Sequence, residues 1–338
     1  MISRRRTLRT FGLLLLGPLV MSGLTWGCMP HAQASPDVPT GDGTKSSIDE
    51  PLSPEPNALP EAVANLPIGR AKHVLIISED GLRPDALRQL HLHWHELLRH
   101  RGTNANHAMT IRDASTLPAH ASMLSGVQPS VHGLTWNNWR PERGYIKSPS
   151  IFSYAKKAGL STAFFTGKSK LRHIVPPGTV AVYERPGYYC KTVAEDAAAY
   201  IVEEKPALTF VHFSDPDEFG HSAGWMSDAQ LHAIGNADKC LGVLYNALEE
   251  AHMLDDTLII VSADHGGHNK VHSGATKIDR LIPWMACGPG VREDYVLTED
   301  ISTVDTAATA MYALGLPIPA AFTGRPLLDI FEKRPEHP

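Results

Sequence analysis

The stretch His73-Val74-Leu75-Ile76-Ile77-Ser78-Glu79-Asp80-Gly81 decides how the rest of the chain is read. Its apolar residues follow one another without alternating. That suits a strand covered on both faces, as in a parallel sheet. The run then stops on two acids and a glycine. Three later stretches repeat the apolar part: Thr162-Ala163-Phe164-Phe165, Leu208-Thr209-Phe210-Val211-His212-Phe213 and Leu258-Ile259-Ile260-Val261. Helix-like segments lie among them, over 84–100, 149–158, 192–204 and 228–252. This alternation predicts an α/β domain, with three layers (α/β/α) around a mostly parallel central sheet. No internal repeat is present. Near the end, Pro317 and Pro319 mark a turn before a last packed segment, Leu327 to Phe331.

Outward from this core, the ends read differently. Arg4, Arg5 and Arg6 precede an apolar run from Phe11 to Trp26, and Ala32-Gln33-Ala34 fits a cleavage site. The expectation is a signal peptide over 1–34 and an exported protein, periplasmic or secreted. Paired arginines before Thr7 and Leu8 also suit a twin-arginine signal. Two other readings stand beside simple cleavage: a lipid anchor on Cys28, and a retained anchor helix. Residues 35–70, rich in Pro, Ser, Gly and Asp, are read as a disordered linker. The folded domain is then 71–332.

Composition narrows the function classes. With 43% hydrophobic and 20% charged residues the chain is globular, and a net charge of −5 provides no basic field for general nucleic-acid binding. No membrane contact is expected beyond the signal or a lipid anchor. The sequence leaves the oligomeric state open. Removing the signal takes away Cys28 and leaves Cys190, Cys240 and Cys287, so at most one disulfide can form within the chain. None has zinc-knuckle spacing.

In open α/β sheets, ligands bind beyond the carboxyl ends of the strands. Three of the strand ends here carry acids. The first runs into Glu79-Asp80-Gly81. The third runs into Asp215-Pro216-Asp217, with His221 four residues later. The fourth runs into Asp264-His265-Gly266-Gly267-His268, with His272 following. Alone, an acid after a strand is commonly a cap or turn residue, and a lone His is commonly a core or surface residue. Together, so many carboxylates and imidazoles at one sheet edge are costly without cations. Mixed Asp and His ligation suits Zn²⁺ and related transition metals, and two ions can share such a set. A further segment, Ser115-Thr116-Leu117-Pro118-Ala119-His120-Ala121, begins a short helix that Gly126 ends. Thr116 stands at the N-cap position. It is read either as a cap or as a nucleophile beside a metal, at a helix end that attracts anions.

These motifs resemble the alkaline phosphatase superfamily, most of all its branch of type I phosphodiesterases and nucleotide pyrophosphatases. The matching text is Ile76 to Asp85, Ser115 to His120, Ser130 to Asn137, Pro216 to His221 and Ser262 to Gly267. The resemblance implies an alkaline phosphatase-like fold and two zinc ions, other divalent metals being possible. It implies that Asp80, Asp264 and His265 hold one ion together with the Thr116 oxygen. Asp217, His221 and a third His hold the other. In many relatives that His lies far downstream; here the choice falls within His268–His272, and His272 is favoured because Ser273-Gly274 permits a turn. Asn137 matches an Asn that hydrogen-bonds a phosphate oxygen, or else is a turn residue. The implied reaction is attack of Thr116 on phosphorus and hydrolysis of the phospho-threonine formed.

The substrate is expected to be a small phosphate ester, with a phosphodiester or nucleotide pyrophosphate ahead of a monoester. Lys168, Lys170 and Arg172 either clamp a phosphate or are solvated loop charges. Trp136, Trp139 and Tyr145 either stack a base or pack a loop. Sulfatases share the fold but need a Cys or Ser where Thr116 stands. Cofactor-independent phosphoglycerate mutases share the core but normally use Ser. A non-catalytic binding protein would not keep so full a ligand set.

Overall fold

A computed structural model of the protein describes residues 71–105, 107–272 and 276–332. The signal peptide, the linker and the Ser273-Gly274 turn lie outside the described residues. The four strands expected from the sequence are β1 (His73–Glu79), β4 (Thr162–Thr166), β6 (Leu208–Phe213) and β7 (Thr257–Ser262). They are joined by β2 (Gly102–Ala105), β5 (Val182–Glu184), β9 (Trp284–Cys287) and β10 (Tyr295–Leu297). The sheet order is β10-β2-β9-β7-β1-β6-β4-β5. Every pairing is parallel except those of β9, which runs against both β7 and β2. A second, smaller sheet is formed by β3 (Ala108–Met109), β8 (Leu281–Ile282) and β11 (Ile301–Ser302). The sequence analysis did not foresee it, because two-residue strands carry no period.

The uninterrupted apolar runs are explained by burial on both sides. Val74, Ile76, Phe164, Phe210, Leu258 and Ile260 face one core. That core also takes side chains from the helices Thr116–Ser125, Ile151–Lys157 and Asp305–Ala313. Leu75, Ile77, Ala163, Phe165, Val211, Phe213, Ile259 and Val261 face the other. There the helices His93–His100, Cys190–Glu204 and Asp228–Glu250 cover them. Alternation between two cores is the period of two that a strand imposes. No helix among the described residues is long and apolar enough to cross a membrane.

The expected helix over 84–100 is two helices, Pro84–Gln89 and His93–His100. Leu90 and Leu92 are extended between them. The second helix restarts on an acid from elsewhere: Trp94 and His95 N–H both donate to Asp238 Oδ1 at 3.0 Å. Asp238 thus satisfies donors that a helix start leaves free.

Register sets up the site. Ser78 of β1 lies opposite His212 of β6 and opposite Ser262 of β7. The three strands therefore end level, and the residues that follow them leave from one edge.

Candidate active site

Asp80 follows β1 directly. Gly81 then turns the chain with φ +75°, and a Cβ there would lie 3.0 Å from the Asp217 Cα. Only glycine takes this turn and this approach cheaply. Gly81 N–H donates to Asp264 Oδ1 at 3.1 Å, tying the end of β1 to the residue after β7. Beyond β6, the helix Asp215–Ala223 carries Asp215, Asp217 and Glu218 in its first turn, where the positive end of the dipole favours acids. Asp217 and His221 are one turn apart and share a face.

The acids and imidazoles from these loops converge. Asp217 Oδ1 lies 3.4 Å from His221 Nε2, 3.7 Å from His272 Nε2 and 3.9 Å from His265 Nε2. His265 Nε2 lies 3.4 Å from Asp80 Oδ1, 3.3 Å from Asp264 Oδ2 and 3.5 Å from Thr116 Oγ1. Two groups have the compactness of a metal site: Asp217, His221 and His272, and Asp80, Asp217 and His265. Asp217 stands in both, so it lies between the two ligand sets.

Two further observations fit this arrangement to cations. First, the Nδ1 atoms of His221, His265 and His272 lie 2.9, 2.8 and 2.6 Å from the carbonyl oxygens of Lys270, Gly266 and Ala114. A carbonyl only accepts, so each Nδ1 carries a proton, and each Nε2 is the nitrogen turned toward the carboxylates. Backbone contacts of this kind fix the ring of a metal-binding His. Second, Asp80 Oδ1, Asp217 Oδ1 and Asp264 Oδ2 are buried with no hydrogen-bond partner. Buried carboxylate oxygens without donors are expensive, and a metal ion is one remedy. His268 is turned elsewhere, with Nδ1 2.7 Å from Asp279 Oδ1.

The local field points the same way. Burial pushes the Asp80 carboxyl up, but Lys168, His212 and His265 hold it well below the usual carboxylate range. Burial and Asp80 push Asp264 up, yet His265 and His120 bring it to about 2. Burial lowers the His265 imidazole, and the three nearby carboxylates raise it by more. Negative charge here is in excess.

Some partners were not foreseen. His212 Nε2 bonds Asp80 Oδ2 at 2.9 Å from within β6. His120 Nδ1 lies 2.8 Å from Thr116 O and 3.3 Å from Asp264 Oδ2, while its Nε2 meets Ser78 Oγ at 2.8 Å. His120 was part of a quoted motif, and His212 a lone polar residue in an apolar run. Neither signal separates a supporting His from a core one.

The lysine expectations are corrected in part. Lys168 is not a solvated charge. It is buried, with Nζ 2.7 Å from Asp80 Oδ2 and in contact with Asp217 Oδ2, so it bridges the two ligand sets. Two acids drawn from separate strand ends outweigh the cost of burying it. Lys170 Nζ donates to Asn137 Oδ1 at 3.1 Å. Arg172 stacks over Tyr183 instead, 4.2 Å from the ring centre.

Thr116 is the first residue of its helix, and Ser115 holds the cap position, with its hydroxyl on Asp113 rather than on the helix. Leu117 N–H donates to Asn137 Oδ1 at 3.0 Å, and Pro118 has no N–H. The helix end therefore offers an anion fewer free donors than the sequence suggested. With two donors on its Oδ1, Asn137 has its amide oriented and its NH₂ left to donate. Thr116, Asn137, Lys168, Lys170, Asp217, His221 and His272 line one cleft of about 360 Å³. Trp139, Arg185, Tyr188 and Glu218 extend it. Trp136, Trp139 and Tyr145 gather around His173, with ring centres 5.3, 4.4 and 6.4 Å away.

A direct check separates the two histidines. His272→Ala is expected to lower the divalent metal bound per chain by about one equivalent, because it removes a candidate Nε2 ligand. His268→Ala should leave the metal count near that of the parent protein. Elemental analysis after dialysis reads both, and the reverse order would exchange their roles.

The family profile for type I phosphodiesterase / nucleotide pyrophosphatase matches residues 74–315. A 2,3-bisphosphoglycerate-independent phosphoglycerate mutase of Synechococcus elongatus is 29% identical over 170 residues, 47% of this chain and 31% of its own length. Ectonucleotide pyrophosphatase/phosphodiesterase family member 7 of Mus musculus is 22% identical over 231 residues, 62% of this chain and 53% of its own. The chain thus spans a third to a half of the length of these curated relatives. Among solved structures, murine ectonucleotide pyrophosphatase / phosphodiesterase 5, an inactive threonine-to-alanine variant in complex with AMP, superposes with a TM-score of 0.65 at 15% identity. The match covers 77% of this chain and all of that one. A phosphonate monoester hydrolase from Silicibacter pomeroyi gives 0.60 at 17% identity, over 78% of each chain. At these identities the structural likeness speaks for the fold.

Proposed function

The chain belongs to the type I phosphodiesterase / nucleotide pyrophosphatase family, and from that premise we propose that it hydrolyses phosphate esters through a phospho-threonine on Thr116. Phosphodiester or nucleotide pyrophosphate bonds are its preferred targets. The observation that carries this reading is the convergence of Asp80, Asp217, Asp264 and three imidazoles on one another beside a cleft that Thr116 lines, with His265 3.5 Å from its hydroxyl. The relative crystallised with AMP as an inactive threonine-to-alanine variant lends it support.

Asp80, Asp264 and His265 would hold one divalent cation, and Asp217, His221 and His272 the other. Zinc suits this mixture of oxygen and imidazole nitrogen. When bound, the pair supplies positive charge that favours an ionised Thr116 hydroxyl and polarises the phosphoryl group. The protein's own part is positional. Thr116 Oγ1 forms the new bond to phosphorus as the bond to the leaving oxygen breaks. Water then cleaves the phospho-threonine and restores the hydroxyl. Asn137 NH₂ donates to a phosphoryl oxygen, which matters most as charge grows in the transition state. Lys170 adds a positive charge beside it. His120 and His212 hold Asp264 and Asp80 in place from behind.

The cleft continues past these groups to Trp139, Arg185 and Tyr188, which leaves room for a second substituent on phosphorus. That favours diesters. Two ammonium groups near Thr116 are the one support for a monoesterase. Zinc-reconstituted protein is expected to cleave bis(4-nitrophenyl) phosphate faster than 4-nitrophenyl phosphate. Faster monoester cleavage would install the second reading, and no cleavage of either would remove the proposed chemistry. The arginines and apolar run of the N-terminus support export, so the reaction is assigned to the periplasm or the cell exterior.

A further inference from the structure

Cys190 and Cys240 lie on two helices of the same core. Cys190 opens the helix Cys190–Glu204, and Cys240 sits midway along Asp228–Glu250. They are 2% and 6% exposed. Their sulfur atoms are 2.8 Å apart. Both are free cysteines, and the contact brings the sulfurs within a short shift of the about 2.0 Å of an S–S bond. Neither residue has a part in the hydrolytic chemistry. The third thiol, Cys287, lies on β9.

We propose that Cys190 and Cys240 form a disulfide when the chain folds in the presence of a disulfide oxidant. The two thiols give up two protons and two electrons as the S–S bond forms. The oxidant, a small-molecule or protein disulfide, takes them up and becomes two thiols. The contact with Cys240 and burial both push the Cys190 thiol up, which makes the reactive thiolate scarce once the core has closed. The bond therefore forms during folding. Only the supply of oxidant in the cell rests on the export reading.

The bond reaches the ligand helix. Cys190 N–H donates to Asp215 Oδ2 at 2.7 Å, and Asp215 is the first residue of the helix that carries Asp217 and His221. The closed loop contains β6 and that whole helix. Joining the two sulfurs braces the start of Cys190–Glu204, and through it the segment that positions Asp217.

The test is to refold the protein in a glutathione redox buffer, then titrate thiols in denaturant and map peptides without reduction. The expected result is one free thiol among these three cysteines, Cys287, and a peptide linking Cys190 to Cys240. Reductant should lower the Tm by about 5–10 °C, the typical disulfide contribution for a domain of this size. It should also speed amide exchange across residues 215–223. The double variant Cys190→Ala/Cys240→Ala should start at the lower Tm and ignore reductant. Three titrating thiols, or a linked peptide that contains Cys287, would overturn the proposal. Refolding needs no export, so failure there counts against the pair alone. A reduced pair in protein drawn from the cell, beside a linked pair after refolding, would count against the localisation alone.

Discussion

Thr116→Ala is expected to lower turnover of phosphate esters by about 10³-fold or more, the scale on which loss of a nucleophile acts. The substitution removes the one hydroxyl set among the acids, 3.5 Å from His265 Nε2. It takes away neither the carboxylates of Asp80, Asp217 and Asp264 nor the imidazoles of His221, His265 and His272. Metal content and Tm are therefore expected to stay close to those of the parent. Thr116→Ser keeps a hydroxyl and should recover much of the lost rate. The comparison is a three-way one of rate, zinc content and Tm. Parent-like turnover in Thr116→Ala would end the nucleophile assignment, and a large loss of zinc would recast Thr116 as chiefly a ligand.

His95→Gln is expected to destabilise the fold by about 3–5 kcal/mol, the cost of breaking a buried ion pair. His95 is buried, with Nε2 3.0 Å from Glu79 Oε1 and Nδ1 2.8 Å from Asp238 Oδ1. Burial lowers its pKa, but the two carboxylates outweigh that and raise it from 6.5 to about 9. The ring is thus an imidazolium at neutral pH, wedged between two acids. Without it, Asp238 keeps two backbone donors, whereas Glu79, whose buried oxygens make no hydrogen bond, loses the charge that faces it at 3.0 Å. The Tm should fall by roughly 10 °C. The pH dependence has a definite sign. A folded pKa above the unfolded one gives stability that is whole below pH 6.5 and lost as pH rises through about 9. The parent Tm should decline across that window more steeply than that of His95→Gln. Equal slopes would show that His95 carries no charge in the fold.

The sheet and the acids were readable in advance for physical reasons. A strand buried on both faces has to be apolar throughout, so 73–78, 208–213 and 258–261 stand out. Acids at the ends of such strands stand out in turn. What escaped was whatever depends on a partner far along the chain. Lys168 read as either a phosphate clamp or a loop charge because the acids it meets, Asp80 and Asp217, come from two other strand ends. Glu79 looked like a neighbour of Asp80, but its side chain leaves on the opposite face to meet His95. The break in the helix over 84–100 depends on Asp238, which no local propensity contains. The cap at Thr116 was misplaced by one residue, the usual slack at helix ends. His272 was preferred over His268 on turn chemistry, and the bond from His268 to Asp279 had no local signal at all.

The position of β1 between β6 and β7 has a consequence for how the protein is made. Among the described strands β1 leaves the ribosome first, and its two neighbours, β6 and β7, emerge only after β2, β3, β4 and β5. Parallel pairings between such distant stretches are slow and leave sticky apolar strands waiting. No partial product that stops before Ser262 can place both neighbours beside β1, and none that stops before His272 carries every side chain proposed to hold a cation. The proposed chemistry is thus closed to the nascent chain until His272 has been made.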